Sequence, residues 1–309
     1  MRDLVSCKQF ETPAAVDKII DLAGRIRSAS PHNGWWTQYR GKTMATLFYE
    51  PSTRTRLSFE AAMCKYGGSV ISTENAAQFS SQIKGETLAD SVRVVSGYAD
   101  LIVLRHSVNG SAQLAANVSS VPVINAGDGS GEHPSQALLD VYTIKAEVGR
   151  LDNLKVGLCG DLKYGRTVHS LVRLLSLYPG LKIQLVSPAS LKLPDEYVNE
   201  LRDKGVEVVT APSMWQLVEN PPDVIYMTRV QRERLQGVYE ETEANQQMIS
   251  LTAAHMVHLP EKTVILHPLP RGLEIPTELD GDKRIACFRQ AHNGLYVRMA
   301  IIDTLLRNS

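Results

Sequence analysis

The sequence predicts an α/β protein of two domains, each built on a parallel sheet with helices packed against it. Three observations predict this. Short β-rich runs alternate with helical stretches along most of the chain, the runs read as buried strands, and a long helical segment separates an earlier series from a later one. Right-handed crossovers put the ligand-binding loops at the carboxyl ends of both sheets, so an active site is expected in the cleft between the domains.

Helical periodicity opens the chain, where Val16, Ile19, Ile20, Ala23 and Ile26 form one apolar face behind Thr12-Pro13, an N-cap residue with proline at the first helical position. Met44–Tyr49, Ser69–Ser72, Leu101–Leu104 and Pro122–Asn125 then read as buried strands, most of them followed by helical segments. An amphipathic segment from His133 to Val148 ends at Gly149. A second series of apolar runs follows at Val156–Cys159, Ile183–Val186, Val206–Val209, Val224–Met227 and Val264–Leu266. The expected organisation is a first domain over 1–132, a linking helix over 133–149, a second domain over 150–290, and a C-terminal stretch 291–309 whose helix, Gly294 to Leu306, packs back on the first domain. Neither a short-period repeat nor a low-complexity linker stands out.

Composition narrows the function. The 309 residues carry 33 Lys+Arg against 33 Asp+Glu, a formal charge of zero, which argues against nucleic acid as a partner and requires any bound anion to be held locally. A hydrophobic content of 43% is ample for real cores and excludes disorder. No run approaches the length of a membrane helix, and Met1-Arg2-Asp3-Leu4-Val5-Ser6-Cys7 lacks a long apolar signal core, so the expected location is cytoplasmic, with no membrane partner. Cys7, Cys64, Cys159 and Cys287 lie far apart, as buried free thiols do, and His255-x-x-His258 has no nearby Cys or Glu to complete a ligand set. No metal and no cofactor are expected.

The chemistry concentrates at Phe48-Tyr49-Glu50-Pro51-Ser52-Thr53-Arg54-Thr55-Arg56, where a buried strand hands over to a helix. A helix N-terminus offers unpaired N–H groups and partial positive charge. Three hydroxyls and two arginines placed there outline a phosphate cradle rather than a plain Ser/Thr cap, because Arg forks match phosphate oxygens.

Ser52-Thr53-Arg54-Thr55 resembles the carbamoyl-phosphate motif of the transcarbamoylases. Further blocks narrow the resemblance to the aspartate carbamoyltransferase family: Lys84-Gly85-Glu86-Thr87-Leu88-Ala89-Asp90, Val103-Leu104-Arg105-His106, Asn125-Ala126-Gly127-Asp128-Gly129, His133-Pro134-Ser135-Gln136-Ala137-Leu138-Leu139-Asp140, Gly160-Asp161-Leu162-Lys163-Tyr164-Gly165-Arg166-Thr167-Val168-His169-Ser170, Met227-Thr228-Arg229-Val230-Gln231-Arg232-Glu233-Arg234 and His267-Pro268-Leu269-Pro270-Arg271. They span nearly the whole chain in family order. The resemblance implies the transcarbamoylase fold and transfer of a carbamoyl group from carbamoyl phosphate to L-aspartate, an early step of pyrimidine (UMP) synthesis, with carbamoyl phosphate binding first.

Carried over by position, Ser52, Thr53, Arg54 and Thr55 hold the phosphate, with Thr55, Arg105 and His133 around the carbamoyl oxygen, His133 as a hydrogen-bond donor and not a base. Gln136 and the backbone carbonyls of Leu269 and Pro270 fix the carbamoyl NH2, where a cis Leu-Pro bond suits backbone acceptors. Arg166 binds the α-carboxylate of aspartate, and Arg229 with Gln231 the β-carboxylate; two guanidinium groups suit a dicarboxylate. Lys84, and with it Ser80 or the adjacent Ser81, is implied to reach the active site of a neighbouring subunit in a trimer with shared sites. Taken by itself, a loop lysine reads as solvated. Regulatory chains or other enzymes of the pathway remain open as further partners, as do larger assemblies of the trimer.

Two other readings compete. Ornithine carbamoyltransferase shares the phosphate motif, but a cationic substrate wants acidic partners, and the Cys of that family's last motif is here Pro268. Gly157-x-x-Gly160-x-x-x-x-Gly165 is not the spacing of a dinucleotide fingerprint, and Lys163-Tyr164 crowds a pyrophosphate. For domain closure, Glu50 is expected to bridge to Arg166 and Arg234, with the polar stretch Arg232–Gln247 as a mobile loop or a plain solvated segment. The remaining acidic residues are expected mostly on solvated faces.

Overall fold

The computed structural model describes residues 1–29, 37–76, 85–231 and 243–307. It divides into two compact units, one of residues 1–142 with 292–309, the other of residues 143–291. The division falls inside a helix at both crossings.

The first unit holds α1 (Pro13–Ala29), β1 (Thr43–Phe48), α2 (Thr53–Lys65), β2 (Ser69–Glu74), α3 (Leu88–Val95), β3 (Leu101–His106), α4 (Ser111–Val118), β4 (Val123–Asp128) and the start of α5 (Pro134–Val148). Its four strands are parallel in the order β2-β1-β3-β4. β1, β3 and β4 are almost entirely buried, in keeping with their largely apolar first residues, whereas β2 at the edge, expected as a buried strand, is exposed or half-buried throughout. The far edge is closed by the first residues of the chain. Leu4 donates its N–H to Val123 O (2.8 Å) and accepts from Asn125 N (2.8 Å), while Asp3 Oδ1 takes the Val123 N–H (2.8 Å). Nothing in the periodicity announces this bridge.

The second unit holds β5 (Lys155–Cys159), α6 (Arg166–Leu175), β6 (Lys182–Val186), α7 (Asp195–Asp203), β7 (Glu207–Thr210), α8 (Met214–Glu219), β8 (Val224–Met227), α9 (Glu243–Ile249), α10 (Ala253–His258) and β9 (Val264–Leu266), in a parallel sheet ordered β7-β6-β5-β8-β9. Its outer strand is closed by the same device: Ile265 N donates to Arg284 O and Ala286 N to Ile265 O, both at 2.8 Å. The predicted α/β class and parallel sheets hold. The polar stretch ending at Gln247 is shorter as a loop than expected, because its last five residues open α9; its earlier part lies outside the described residues.

α11 runs over Cys287–Leu306, seven residues earlier than the sequence suggests. Gly294 looks like a helix breaker but is a packing residue: a Cβ there meets Arg298 Nη1 at 2.2 Å and Leu139 Cδ2 at 3.3 Å. The portion of α11 in the first unit is tied to it by Tyr66 Oη donating to Met299 O (3.2 Å) and Tyr39 Oη to Asp303 Oδ1 (2.7 Å). Burial and the neighbouring Asp303 carboxylate push the Tyr39 phenol well above its ordinary pKa, so it stays a donor.

α5 also departs from expectation. Rather than amphipathic, it is buried on all sides from Pro134 to Ile144, and the buried set includes Ser135, Gln136, Asp140 and Thr143. Polar side chains on a fully covered helix are the informative exception to apolar burial.

Candidate active site

Each sheet has one point where the strand order reverses direction, between β1 and β3 in the first unit and between β5 and β8 in the second. Open parallel sheets bind ligands outside the carboxyl ends of strands at such points, since the following loops diverge and leave a crevice. Of the expected site residues, Ser52 to Thr55 follow β1, Arg105 lies on β3, Arg166 follows β5, and Arg229 and Gln231 follow β8, whereas His133 and Gln136 follow β4, and Leu269 and Pro270 follow β9.

In the first unit, β1 ends at Phe48, in register with Arg105 on β3. The chain turns through Glu50 and Pro51 into α2, whose N-cap is Ser52. Ser52 makes no side-chain cap hydrogen bond, so its hydroxyl and the first N–H groups of α2 are not spent on each other. The two arginines of this turn divide their labour. Arg56 is tied to Glu74 (2.8 Å) and Glu60 (3.6 Å) and fastens α2 to β2, whereas Arg54 has no acidic partner at ion-pair distance among the described residues. Thr55 is buried beneath them, and Thr53 is exposed.

Arg105 Nη2 pairs with Glu50 Oε1 at 2.5 Å, and its Nη1 reaches Ala126 O at 3.4 Å. Glu50 was assigned to closure on sequence grounds; within its own unit its carboxylate occupies the guanidinium expected to meet the carbamoyl oxygen. His106, the next residue, is structural. Its Nδ1 takes the Val108 N–H (3.1 Å) and faces Ser111 Oγ (3.0 Å), and burial lowers its pKa against the pull of Asp128 and Glu50.

His133 is 3% exposed and stands immediately before Pro134, the first residue of α5; its carbonyl accepts from Gln136 N (3.0 Å) and Ala137 N (3.1 Å). The loop leading to it is shaped by a carboxylate that sequence reasoning left without a role. Asp128 Oδ1 accepts from Glu132 N (3.1 Å) and Asn125 Nδ2 (3.2 Å), and its Oδ2 from Gly110 N (2.9 Å), binding the β3–α4 and β4–α5 loops together.

The second unit repeats the arrangement. Arg166 is the first residue of α6 and 8% exposed, and Gly165 before it has no side chain to cap the helix. Arg229 and Gln231 follow β8. Asp161, wholly buried, joins the two loops: Oδ1 accepts from Lys163 N (3.2 Å) and Tyr164 N (2.9 Å), Oδ2 from Gln231 N (3.2 Å), and its carbonyl from Thr228 Oγ1 (3.2 Å). Gln231 Nε2 donates in turn to Tyr164 O (2.9 Å).

Leu269 and Pro270 are joined by a cis peptide, with Leu269 at φ 57°. Their loop is anchored by a buried pair. Leu269 N donates to His267 Nδ1 (2.8 Å), so the ring proton sits on Nε2, which donates to Glu274 Oε1 (2.7 Å); Gly272 N donates to the same oxygen (2.9 Å). Burial pushes the Glu274 carboxyl up, but these donors outweigh it and hold its pKa below the ordinary value.

Asp128, Asp161 and Glu274 are 8%, 0% and 7% exposed, so the expectation that acidic residues lie mostly on solvated faces fails at the loops that matter here. The available signal was position: Asp128 and Asp161 stand at or just past strand ends beside glycines. Ser80, Ser81, Lys84 and Arg234 lie outside the described residues. Among the described residues, no group of three or more His, Cys, Asp or Glu side chains is arranged to hold a metal ion.

Two family models match the chain in succession: aspartate/ornithine carbamoyltransferase, carbamoyl-P binding domain, over residues 2–146, and the Asp/Orn binding domain of the same family over residues 152–305. Among similar proteins, aspartate carbamoyltransferase 1, chloroplastic, of Pisum sativum is 47% identical over 98% of this chain and 78% of its own length. Among solved structures, the catalytic subunit of M. jannaschii aspartate transcarbamoylase superposes with a TM-score of 0.92 at 42% identity, covering 100% of this chain and 99% of the other. Trypanosoma cruzi aspartate transcarbamoylase in complex with N-(phosphonacetyl)-L-aspartic acid gives 0.92 at 38% identity, covering 97% and 94%.

Gly160 tests the switch point of the second sheet. It has φ 111°, and a Cβ there lies 2.1 Å from Thr228 O, where the β5 and β8 loops touch. Gly160→Ala is expected to cost about 1–3 kcal/mol from backbone conformation alone, read as a lower denaturation midpoint; an unchanged midpoint contradicts the contact.

Proposed function

Because the chain belongs to the aspartate/ornithine carbamoyltransferase family, we propose that it transfers the carbamoyl group of carbamoyl phosphate to the amine of L-aspartate, giving N-carbamoyl-L-aspartate and phosphate for pyrimidine synthesis. The observation that carries the reading is the anion-ready turn of the first unit: Arg54 without an acidic partner among the described residues, at a helix start whose Ser52 hydroxyl is not engaged in capping.

The chemistry follows from charge. The aspartate nitrogen attacks the carbamoyl carbon, the C=O electrons move to oxygen, and collapse of that oxyanion breaks the C–O bond to phosphate, which leaves with the electron pair. The attacking nitrogen loses one proton, and the departing phosphate is itself a base able to take it. Catalysis then requires fixed donors at two places. Ser52, Thr53, Arg54 and Thr55 meet the phosphate as its charge grows, and Thr55, Arg105 and His133 meet the oxyanion. Gln136 with the carbonyls of Leu269 and Pro270 takes the NH2. Arg166 at the start of α6 takes the α-carboxylate, and Arg229 with Gln231 the β-carboxylate.

The Glu50–Arg105 pair gives binding order a physical basis. Glu50 Oε1 holds one terminal N–H group of Arg105, so a ligand oxygen and Glu50 compete for that guanidinium. Carbamoyl phosphate therefore draws Arg105 away, and the released carboxylate becomes available to Arg166 and Arg234 in the second unit. Carbamoyl phosphate first and closure second is the sequence this exchange favours.

For assembly, the reading is a homotrimer in which Lys84 and Ser80 complete a neighbour's site. It is supported by their place in the family's motif order and by apolar side chains exposed on α2 and β2, Leu57 at 50% and Ile71 at 42%. A relative bears the name catalytic subunit, so regulatory chains belong to the same proposal. The proposed compartment is the cytoplasm. All four cysteines are free, as in reducing compartments, and among the described residues no helix is long and apolar enough to cross a membrane.

Carbamoyl transfer to aspartate and to ornithine, measured in parallel, is expected to favour aspartate strongly; preference for ornithine overturns the substrate. Arg54→Ala is expected to lower kcat by about 10²–10³, the usual worth of one fixed donor to developing charge. Turnover near wild type in that variant contradicts the role. Shared sites are tested by mixing inactive Lys84→Ala chains with inactive Arg54→Ala chains under subunit exchange: part of the activity returns if sites span two chains, and none returns, with exchange verified, if they do not.

A further inference from the structure

Gln136 and Asp140 lie one turn apart on α5, and Gln136 Nε2 donates to Asp140 Oδ1 at 2.8 Å. On an exposed helix such a pair is worth a few tenths of a kcal/mol and needs no further explanation. This one is not exposed: Asp140 is 0% and Gln136 8% accessible, on a helix buried on all sides at this point. A buried carboxylate is costly unless it is compensated, and here the compensation is built in. Arg298 of α11, 3% exposed, carries the opposing charge. Its guanidinium lies 5.2 Å from the Phe59 ring, in space kept open by Gly294. Burial pushes the Arg298 pKa down to about 10, with the like charge of Arg54 adding to the fall and Asp140 opposing it. The Asp140 side chain therefore works against the loss of the Arg298 cation beside it.

A carboxylate is only an acceptor, whereas an amide has a donor end and an acceptor end that are nearly equal in shape. Asp140 thus decides which end of Gln136 faces where. With Nε2 held by Asp140, Oε1 is the end left to face a ligand, and an acceptor there selects a group bearing N–H. We propose that Asp140 is a positioning residue that fixes the amide of Gln136 in the orientation that reads the carbamoyl NH2, and so discriminates carbamoyl phosphate from acyl phosphates of the same size that lack it. The inference rests on the carbamoyl-transfer reading above.

Acetyl phosphate, with a methyl group in place of NH2, is the probe. The full-length enzyme, wild type and Asp140→Asn, is assayed with aspartate as acceptor, and kcat/KM is measured for carbamoyl phosphate and for acetyl phosphate. Asparagine can donate to Gln136 Oε1 and so permits the flipped amide. The carbamoyl-to-acetyl ratio is expected to fall by about tenfold or more in the variant, the worth of one hydrogen bond lost to a misaligned amide. Acetyl transfer itself is expected to change little, and it reports that the fold is intact. Because asparagine leaves Arg298 without its counter-charge, Asp140→Asn/Arg298→Met is assayed beside it, and the same fall in ratio is expected there. A parallel loss with both donors, leaving the ratio unchanged, reduces Asp140 to a scaffold residue and overturns the proposal. Wild-type enzyme that fails to carbamoylate aspartate at all overturns the functional reading instead, a separate outcome.

Discussion

The carboxylates buried at the ends of the strands are what the rest of the site depends on. A loop that is to hold an anion must keep its cations and N–H groups aimed at one point, and it cannot do so with its own backbone unsatisfied. Asp128 gathers the N–H groups of Gly110 and Glu132 in the first unit; Asp161 gathers those of Lys163, Tyr164 and Gln231 in the second. Each negative charge thereby shapes the backbone of the loops that carry the arginines proposed to bind substrate. The 33 acidic residues of the chain are thus sorted in space, several of them buried to hold loops rather than spread over solvated faces.

This sorting explains why neighbouring residues of one type do different work. Arg54 and Arg56 are two residues apart on α2, and both looked like phosphate ligands in the sequence. Arg56 is taken by Glu74 on β2 and by Glu60 one turn on along α2, and Arg54 has neither as an ion-pair partner. Helical geometry alone turns side chains two positions apart to different sides and sets Glu60 beside Arg56, but Glu74 joins them only when β2 is placed beside α2. Arg105 is the intermediate case. Its pairing with Glu50 places an acidic partner, within its own unit, on a cation proposed to meet substrate.

Much of the fold was legible because buried parallel strands are mostly apolar: β1, β3, β5, β8 and β9 each carry a short, largely apolar run. The motifs at their carboxyl ends were legible for a related reason, since polar and glycine-rich residues directly after such runs have few structural uses. The rest depended on distant partners. Leu4 closes the edge of β4 from more than a hundred residues away, Gly294 sits inside a helix because Arg298 fills the space beside it, and α5 is covered on every side although its pattern suggests an exposed face. Asp140, Asp161 and Glu274 stood inside the recognised motifs or beside them, yet an aspartate or glutamate in a sequence reads as solvated until the loops it holds are seen.

The central claim is that the two substrates are held as anions by the turns at the two switch points and that binding exchanges the Glu50–Arg105 pair. A crystal structure of this chain with N-(phosphonacetyl)-L-aspartate tests it most directly, since that molecule joins a phosphate-like group, a carbonyl and a dicarboxylate. The account predicts the phosphonate on Ser52, Thr53, Arg54 and Thr55 at the start of α2, the carbonyl oxygen on Arg105, the carboxylates on Arg166 and Arg229, and Glu50 released from Arg105. A phosphonate bound away from α2, or an Arg105 still paired with Glu50 beneath the bound ligand, contradicts it.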